Sequence, residues 1–188
     1  MRLIKLKLKN FRSYKEEVTI DLNDLNVIVG KNDIGKSTIL EALDVFFNEG
    51  KGVIKLDKDD VNKSALAEGD KDIYITTVFT DLPNNIIIDA TNETTFASEF
   101  LLNSEGNLEI IKKYPNAGTA KVYIKANHPT NPECSDLLLK KISDYRKIVD
   151  KHSIDCENQS INAILRSSIW NHFSSDLQLQ EIEIDTSK

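Results

Sequence analysis

The sequence lacks any apolar run near the roughly 18 residues that a membrane-spanning helix needs. Cysteine is scarce as well, because Cys134 and Cys156 are the only two in 188 residues, too few for a disulfide framework. The first eleven residues alternate basic and apolar side chains, whereas a secretory signal peptide carries a continuous apolar stretch. These absences predict a cytoplasmic protein with reduced thiols and no membrane partner.

Positive charge is in deficit, since 24 Lys and Arg against 30 Asp and Glu give a net charge of −6. This balance argues against a generally basic nucleic-acid-binding domain. Residues 1–15 nevertheless contain six basic residues and no acidic one, and Lys5, Lys7 and Lys9 alternate there with Leu6 and Leu8. This basic strip, Lys5, Lys7 and Lys9, could contact DNA phosphates. A solvated strand face, or a sheet edge protected by lysine, is the commoner explanation.

Apolar periodicity predicts an α/β protein, and a chain of this length can form one domain with a small extension. The predicted strands are 3–9, 18–22, 25–29, 72–79, 108–113 and 121–127, with 3–9 and 18–22 paired as a hairpin, while residues 177–185 alternate apolar and polar side chains. The predicted helices are 36–48, 135–151 and 160–173, the first with Ile39, Leu43, Phe46 and Phe47 on its apolar face. Residues 53–70 predict a mobile loop, and 84–102 are ambiguous, with a short helix near 97–102.

The segment Gly30–Ser37 reads GKNDIGKS and fits the phosphate-binding pattern G-x-x-x-x-G-K-[ST] at every fixed position. A predicted buried strand enters this loop and a predicted helix leaves it, which is the context that gives the motif meaning. Gly30 and Gly35 permit backbone angles that turn successive N–H groups toward a phosphate. Lys36 supplies a positive charge to the β- and γ-phosphates, and Ser37 supplies a hydroxyl ligand to Mg²⁺. The sequence therefore predicts ATP and Mg²⁺ as cofactors.

A second carboxylate site, which ATP hydrolysis requires, is hard to find in the sequence. The best match to an apolar strand that ends in an acidic residue is Ile86–Asp89, but Ala90 stands where glutamate is expected. Such a short run is more typical of a loop or a strand edge. Ile182–Asp185 is a weaker match. We therefore predict that no catalytic residue lies in this chain and that it hydrolyses ATP slowly or not at all alone.

The segment Leu8–Ser13, the hairpin after it and the stretch VIVGKNDIGKSTILEAL resemble the N-terminal lobe of an ABC-type ATPase head. The branch in question is shared by chromosome-maintenance, recombination-repair and OLD-family (overcoming lysogenization defect) proteins. The loop Asn32–Thr38 looks most like that of the OLD-family ATP-dependent endonucleases, because Asp33 stands where the commoner loop has glycine.

That resemblance implies an α/β P-loop ABC-ATPase-like lobe with a mixed sheet, an antiparallel β-subdomain and C-terminal helices. It implies an ATPase lobe over residues 1–130 and a helical extension over 131–188, which leads toward an arm and a second half of the head that this chain does not contain. Heads of this kind form homodimers that sandwich ATP, with DNA as substrate in repair or phage defence. The implied nucleotide contacts are Arg12, Gly30, Lys31, Asn32, Asp33, Ile34, Gly35, Lys36, Ser37 and Thr38, with Ser37 also on the metal.

Three alternatives stay open from the residues alone. The chain could be a non-enzymatic module in which ATP is a switch ligand and a partner protein docks. It could be a small P-loop kinase using Asp89, although no arginine-rich lid is evident. Cys134, His152 and Cys156 are zinc-ligand types, but zinc sites normally show two close pairs, so no metal is expected there.

Overall fold

The computed structural model describes residues 1–29, 35–89 and 92–186. Its strands are β1 (Arg2–Lys9), β2 (Val18–Asp21), β3 (Ile73–Thr80), β4 (Ile86–Ile87), β5 (Glu93–Thr94), β6 (Leu108–Tyr114), β7 (Lys121–Pro129) and β8 (Leu179–Asp185). Its helices are α1 (Lys36–Asn48), α2 (Lys63–Ala67), α3 (Ile142–His152) and α4 (Asn162–His172). The α/β fold class is thereby confirmed. Within the described part of the chain, every helix is too short or too polar to span a membrane.

The chain divides into two compact units. The first consists of Met1–Thr80 and Glu109–Ile124 with the end of β8, and the second of Asp81–Leu108 and Lys125–Ile184. The larger sheet has the strand order β2-β1-β3-β6-β7-β8, and β4 pairs with β5 in a separate two-stranded ribbon. Each unit is therefore assembled from segments that are distant in sequence.

The first unit is built around β1, which pairs antiparallel with β2 and with β3. Leu6 lies opposite Ile20 of β2, and Leu8 lies opposite Ile75 of β3. Both leucines are fully buried, because alternate residues of a strand point to the same face. The predicted hairpin of β1 and β2 is confirmed.

Helix α1 follows its predicted bounds, and Ile39 and Phe46 of its predicted apolar face are buried, whereas Phe47 is not. The side chains it buries are Thr38, Ile39, Ala42, Val45 and Phe46. Phe47 was expected in the core but is 57% exposed. Leu40, which lies on the same stripe of the helix surface as Phe47, is 64% exposed. The helix carries more apolar surface than one packed face can cover, so periodicity alone could not choose between its two stripes.

The predicted buried strand 25–29 is wrong for this structure. These residues form no strand, and the side chains of Leu25, Val27 and Val29 are more than three-quarters exposed. Residues with β-branched side chains become a strand only where a neighbouring strand supplies hydrogen bonds and covers their surface. Within residues 1–29, 35–89 and 92–186, no strand pairs with this run.

The predicted mobile loop 53–70 is instead ordered. It contains a 3-10 helix, Lys58–Asp60, and then α2. Asp57 and Asp60 cap the first of these reciprocally, and the Asn62 side chain accepts from two backbone N–H groups at the start of α2. These short helices are stabilised by polar side chains that cap their N-termini. They are too short to show the apolar periodicity by which a longer helix is predicted from sequence.

In the second unit α3 and α4 pack around a core that includes Tyr145, Leu165, Ile169 and Trp170. The predicted helix 135–151 is wrong at its start, since a 3-10 turn at Leu137–Leu139 precedes α3, which begins at Ile142. Asp136 adopts a left-handed φ of 54°, which breaks a continuous helix there. Residues 96–101 form a hydrogen-bonded turn where a helix was considered.

Candidate functional site

The start of α1 is the part of the predicted phosphate loop that the structure describes. Gly35 is the N-cap residue with φ 83° and ψ 17°, a left-handed conformation that favours glycine. Gly35 has no side chain with which to cap this helix end, and the first turn of α1 contains no acidic residue. The backbone N–H groups of the first turn can therefore bind an anion, which the positive end of the helix dipole also attracts.

Three predicted residues follow in the first turn of α1. Ser37 is exposed, so its hydroxyl is open to a metal ion. Lys36 is half-buried, and Thr38 is only 4% exposed, so Thr38 can offer its backbone N–H more readily than its side chain. The remaining predicted loop residues, Gly30, Lys31, Asn32, Asp33 and Ile34, lie outside the described residues. The described residues fit a bound Mg-nucleotide, because donors and a hydroxyl oxygen share one open helix end.

Arg12 lies beside α1, held by two carboxylates. Its Nε donates to Asp60 Oδ1 at 2.7 Å, and its Nη1 forms an ion pair with Glu41 of α1. Asp60 is itself buried and fixed, because its other carboxylate oxygen accepts from the backbone N–H of Asp57. The structure thus brings Arg12 to the helix that follows the phosphate loop, while its predicted contact with the phosphates stays a prediction. A cavity of about 380 Å³ opens next to Arg12, lined also by Asp59, Asn62 and Lys63.

A tight turn, Phe11–Tyr14, carries Arg12. The backbones of Phe11 and Tyr14 exchange both N–H···O hydrogen bonds at 2.9 Å. The Tyr14 hydroxyl faces the Gly35 carbonyl at 3.4 Å, so the turn contacts the N-cap residue of α1 as well as Glu41 within the helix. Sequence reasoning missed Tyr14, Glu41 and Asp60, since none of them falls in a recognised pattern.

Asn10 precedes this turn and is fully buried. Its side-chain Nδ2 donates to the carbonyls of Asp70 at 3.2 Å and Asp72 at 3.0 Å. Its Oδ1 accepts from the backbone N–H of Asn62 at 3.2 Å. Asn10 therefore links the end of β1 to the segment between α2 and β3, a role that no sequence pattern indicates beyond a polar residue next to a strand.

The basic strip is a half-buried face of a central strand. Lys7 Nζ donates to Glu109 Oε1 at 2.6 Å, and Lys9 lies over the ring of Tyr74 at 5.4 Å. Because β1 has a partner strand on each side, the explanation of the strip as a protected sheet edge is wrong. Lys7 and Lys9 already contact side chains within the first unit. Their positive charges are therefore less available to DNA phosphates than the sequence suggested.

The imitation of a catalytic strand at Ile86–Asp89 contains only the two-residue β4, paired antiparallel with β5. This agrees with the expected strand edge. Asp89 Oδ2 accepts from Arg166 Nη1 at 2.8 Å, so its carboxylate is part of an ion pair inside the second unit. This ion pair argues against the hypothesis of a small P-loop kinase, which requires the Asp89 carboxylate to be free.

The remaining ligand-type residues of the second unit have local partners. Cys134 is fully buried, and burial raises the pKa of its thiol to about 11. His152 Nε2 lies 3.1 Å from the Glu133 carboxylate. His128 is buried with Nδ1 2.9 Å from the Phe100 carbonyl, and burial lowers the pKa of its imidazole. The two histidines thus have their contacts within the second unit, with the Glu133 side chain and the Phe100 carbonyl.

Comparison with known proteins finds short, local similarity. Over 43 residues the chain is 49% identical to DNA replication and repair protein RecF of Chlamydia caviae and to that of Desulforamulus reducens. It is 43% identical over 47 residues to the uncharacterized protein MJECL10 of Methanocaldococcus jannaschii. These matches cover 23% to 25% of this chain, but only 12% of either RecF protein and 22% of MJECL10.

Two solved structures resemble the fold at low identity. One is a chain from a study of ATP-driven dimerization and DNA-stimulated activation of SMC ATPases, with 16% identity, a TM-score of 0.42, and coverage of 81% of this chain and 99% of that one. The other is an SMC head bound to the C-terminal winged-helix domain of ScpA, with 18% identity, a TM-score of 0.43, and coverage of 93% and 56%.

One family model, described as the AAA ATPase domain, matches the chain from residue 1 to residue 188. This match confirms the ATPase class that the motif Gly30–Ser37 predicts. The finer assignment to OLD-family endonucleases is not decided by it. The chain belongs to the AAA ATPase domain family.

Proposed function

We propose that this chain is the ATP-binding lobe of an ATPase head and holds Mg-ATP at the N-terminus of α1. The observation that carries the proposal is the left-handed Gly35, which has no side chain to cap α1 and is followed by a first helical turn without an acidic residue. Together with the motif Gly30–Ser37, this arrangement favours a polyphosphate. Lys36 would pair with the β- and γ-phosphates, and Ser37 would ligate Mg²⁺. The metal ion, when bound, neutralises negative charge on these phosphates.

The finer proposal is that the intact protein is an OLD-family ATP-dependent DNA endonuclease. Its support is the loop Asn32–Thr38, in which Asp33 stands where the commoner loop has glycine. Residues 131–188 would be a helical extension that leads toward the other half of the head. Two such heads would enclose ATP as a homodimer, with DNA as the substrate of a separate nuclease domain.

A second candidate is a non-enzymatic switch in which ATP binding controls docking of a partner protein. It is favoured by the second apolar stripe of α1, where Leu40 and Phe47 are exposed and Leu43 is half-buried between them. Exposed apolar side chains in a row are typical of surfaces that another protein covers. Either the rest of an ATPase head or a regulated partner would bury this stripe.

The first test is calorimetric titration of Mg-ATP into the wild-type chain and into Lys36→Ala. Loss of a charge-assisted contact costs roughly 1.5–3 kcal/mol, so we expect affinity to fall by about tenfold to a hundredfold. Lys51→Ala is the matched control, because Lys51 lies past the opposite end of α1 with an 80% exposed side chain. Equal affinities for wild type and Lys36→Ala would contradict the proposed site.

A second test asks whether the chain is catalytically complete. We expect phosphate release from Mg-ATP by the chain alone to stay at the level of Lys36→Ala, which controls for contaminating ATPases. The physical reason is that Asp89, the best candidate for a catalytic carboxylate, is paired with Arg166. Turnover well above the variant would contradict the incomplete site and exclude the switch without enzymatic activity.

A further inference from the structure

The contact between Tyr14 and Gly35 joins the turn after β1 to the N-cap residue of α1. A Cβ built on Gly35 would lie 3.4 Å from the Tyr14 hydroxyl oxygen and 3.6 Å from two ring carbons. The ring therefore lies within van der Waals distance of the position that a Gly35 Cβ would occupy, and the hydroxyl faces the Gly35 carbonyl. One face of this glycine is covered by an aromatic side chain.

Gly35 needs such cover because glycine samples left-handed and right-handed conformations about equally. The helix-end N–H groups point at a ligand only while Gly35 keeps φ near 83° and the chain enters α1 from that direction. A glycine that had to be ordered on binding would lower the affinity by the entropy of fixing its backbone. A rigid neighbour removes that cost in advance.

Tyr14 can provide this restraint because its own backbone is fixed. It closes the turn by two hydrogen bonds with Phe11, whose side chain is fully buried. Phe11 also forms a β-bridge with Val61. Arg12, the next residue of the turn, donates its backbone N–H to the Asp60 carbonyl at 2.7 Å. The ring thus projects from a turn anchored to the body of the first unit.

We propose that Tyr14 is a positioning residue that holds Gly35 in its left-handed conformation and so pre-organises the start of α1 for the nucleotide. The inference rests on the ATP-binding function proposed above. Packing of the ring carries the effect more than the hydroxyl, because 3.4 Å is long for an O–H···O hydrogen bond. Tyr14→Phe should therefore preserve what Tyr14→Ala loses.

The test uses two readouts on the same variants. Amide hydrogen exchange of residues 36–38 without nucleotide is expected to be about tenfold faster in Tyr14→Ala, the factor that matches the release of one backbone residue. Mg-ATP affinity is expected to fall about tenfold in the same variant. Tyr14→Phe should match wild type in both. Tyr74→Ala is the control, since Tyr74 lies on β3 under Lys9 and Lys113 instead.

Unchanged exchange in Tyr14→Ala would overturn the proposal, as would an equal loss in Tyr14→Phe. If wild-type chain fails to bind Mg-ATP, the proposed function fails, while hydrogen exchange still decides the role of Tyr14. Should circular dichroism show Tyr14→Ala to be unfolded, Tyr14→Leu replaces it with the same expectation, because a branched aliphatic group cannot cover the glycine as a flat ring does.

Discussion

Replacing Arg166 by methionine is expected to destabilise the second unit by about 3–5 kcal/mol, the range for breaking a buried ion pair. Arg166 is 2% exposed and donates from Nε and Nη2 to the two carboxylate oxygens of Glu99, both at 2.7 Å. Its Nη1 donates to Asp89 at 2.8 Å. Methionine fills similar space but leaves the Glu99 carboxylate, 1% exposed, without its counter-charge.

Trp170, the single tryptophan, reports this unfolding, since it is buried in the second unit close to Arg166 in sequence. Urea titration followed by its fluorescence gives the free energy of unfolding. Arg146→Met is the matched control on α3, because within the described part of the chain Arg146 hydrogen-bonds only to the carbonyl of the exposed Gln159. This variant should change stability by less than about 1 kcal/mol. A similarly small loss in Arg166→Met would contradict the importance of the buried pair.

A double variant separates charge from packing. Arg166→Met combined with Glu99→Leu removes both charges, and replacing a buried ion pair by apolar groups is often close to neutral. We therefore expect the double variant to regain a large part of the stability lost by Arg166→Met. If the two losses simply add, the arginine stabilises by packing and not by neutralising Glu99.

Replacing Asn10 by alanine is expected to destabilise the first unit by about 2–4 kcal/mol. The change removes the side chain that donates to the half-buried carbonyls of Asp70 and Asp72 and accepts from the buried N–H of Asn62, which keeps its 3.3 Å bond to the Asn10 backbone carbonyl. Asn10 also has φ 56°, a left-handed conformation that asparagine tolerates better than alanine does. Both effects act in the same direction.

Urea unfolding followed by far-UV circular dichroism measures this loss. Asn10→Gly relieves the backbone strain but not the lost hydrogen bonds, so its stability should lie between those of wild type and Asn10→Ala. Asn26→Ala serves as the control, because among the described residues the Asn26 side chain hydrogen-bonds only to Asn23, within an exposed turn. If Asn10→Ala costs no more than Asn26→Ala, the buried hydrogen bonds contribute little.

The sequence by itself determined the parts of this protein whose signals are local. Alternation of lysine and leucine defined β1, and its hairpin with β2 followed from the polar turn between them. Spacing of apolar residues defined α1 and α4. The motif Gly30–Ser37 predicted an ATPase, which the family match confirms, because a phosphate-binding loop needs its glycines, lysine and serine at fixed spacing.

Only the tertiary structure decided which surfaces find a partner. The run 25–29 has strand composition yet no strand beside it, and α1 has two apolar stripes of which one is buried. Asn10 and Arg166 gain their roles from residues about 50 to 77 positions away in the chain. The position of Tyr14 over Gly35 likewise depends on where a turn is anchored. Burial and hydrogen bonding between distant segments are properties of the folded chain, and no local pattern encodes them.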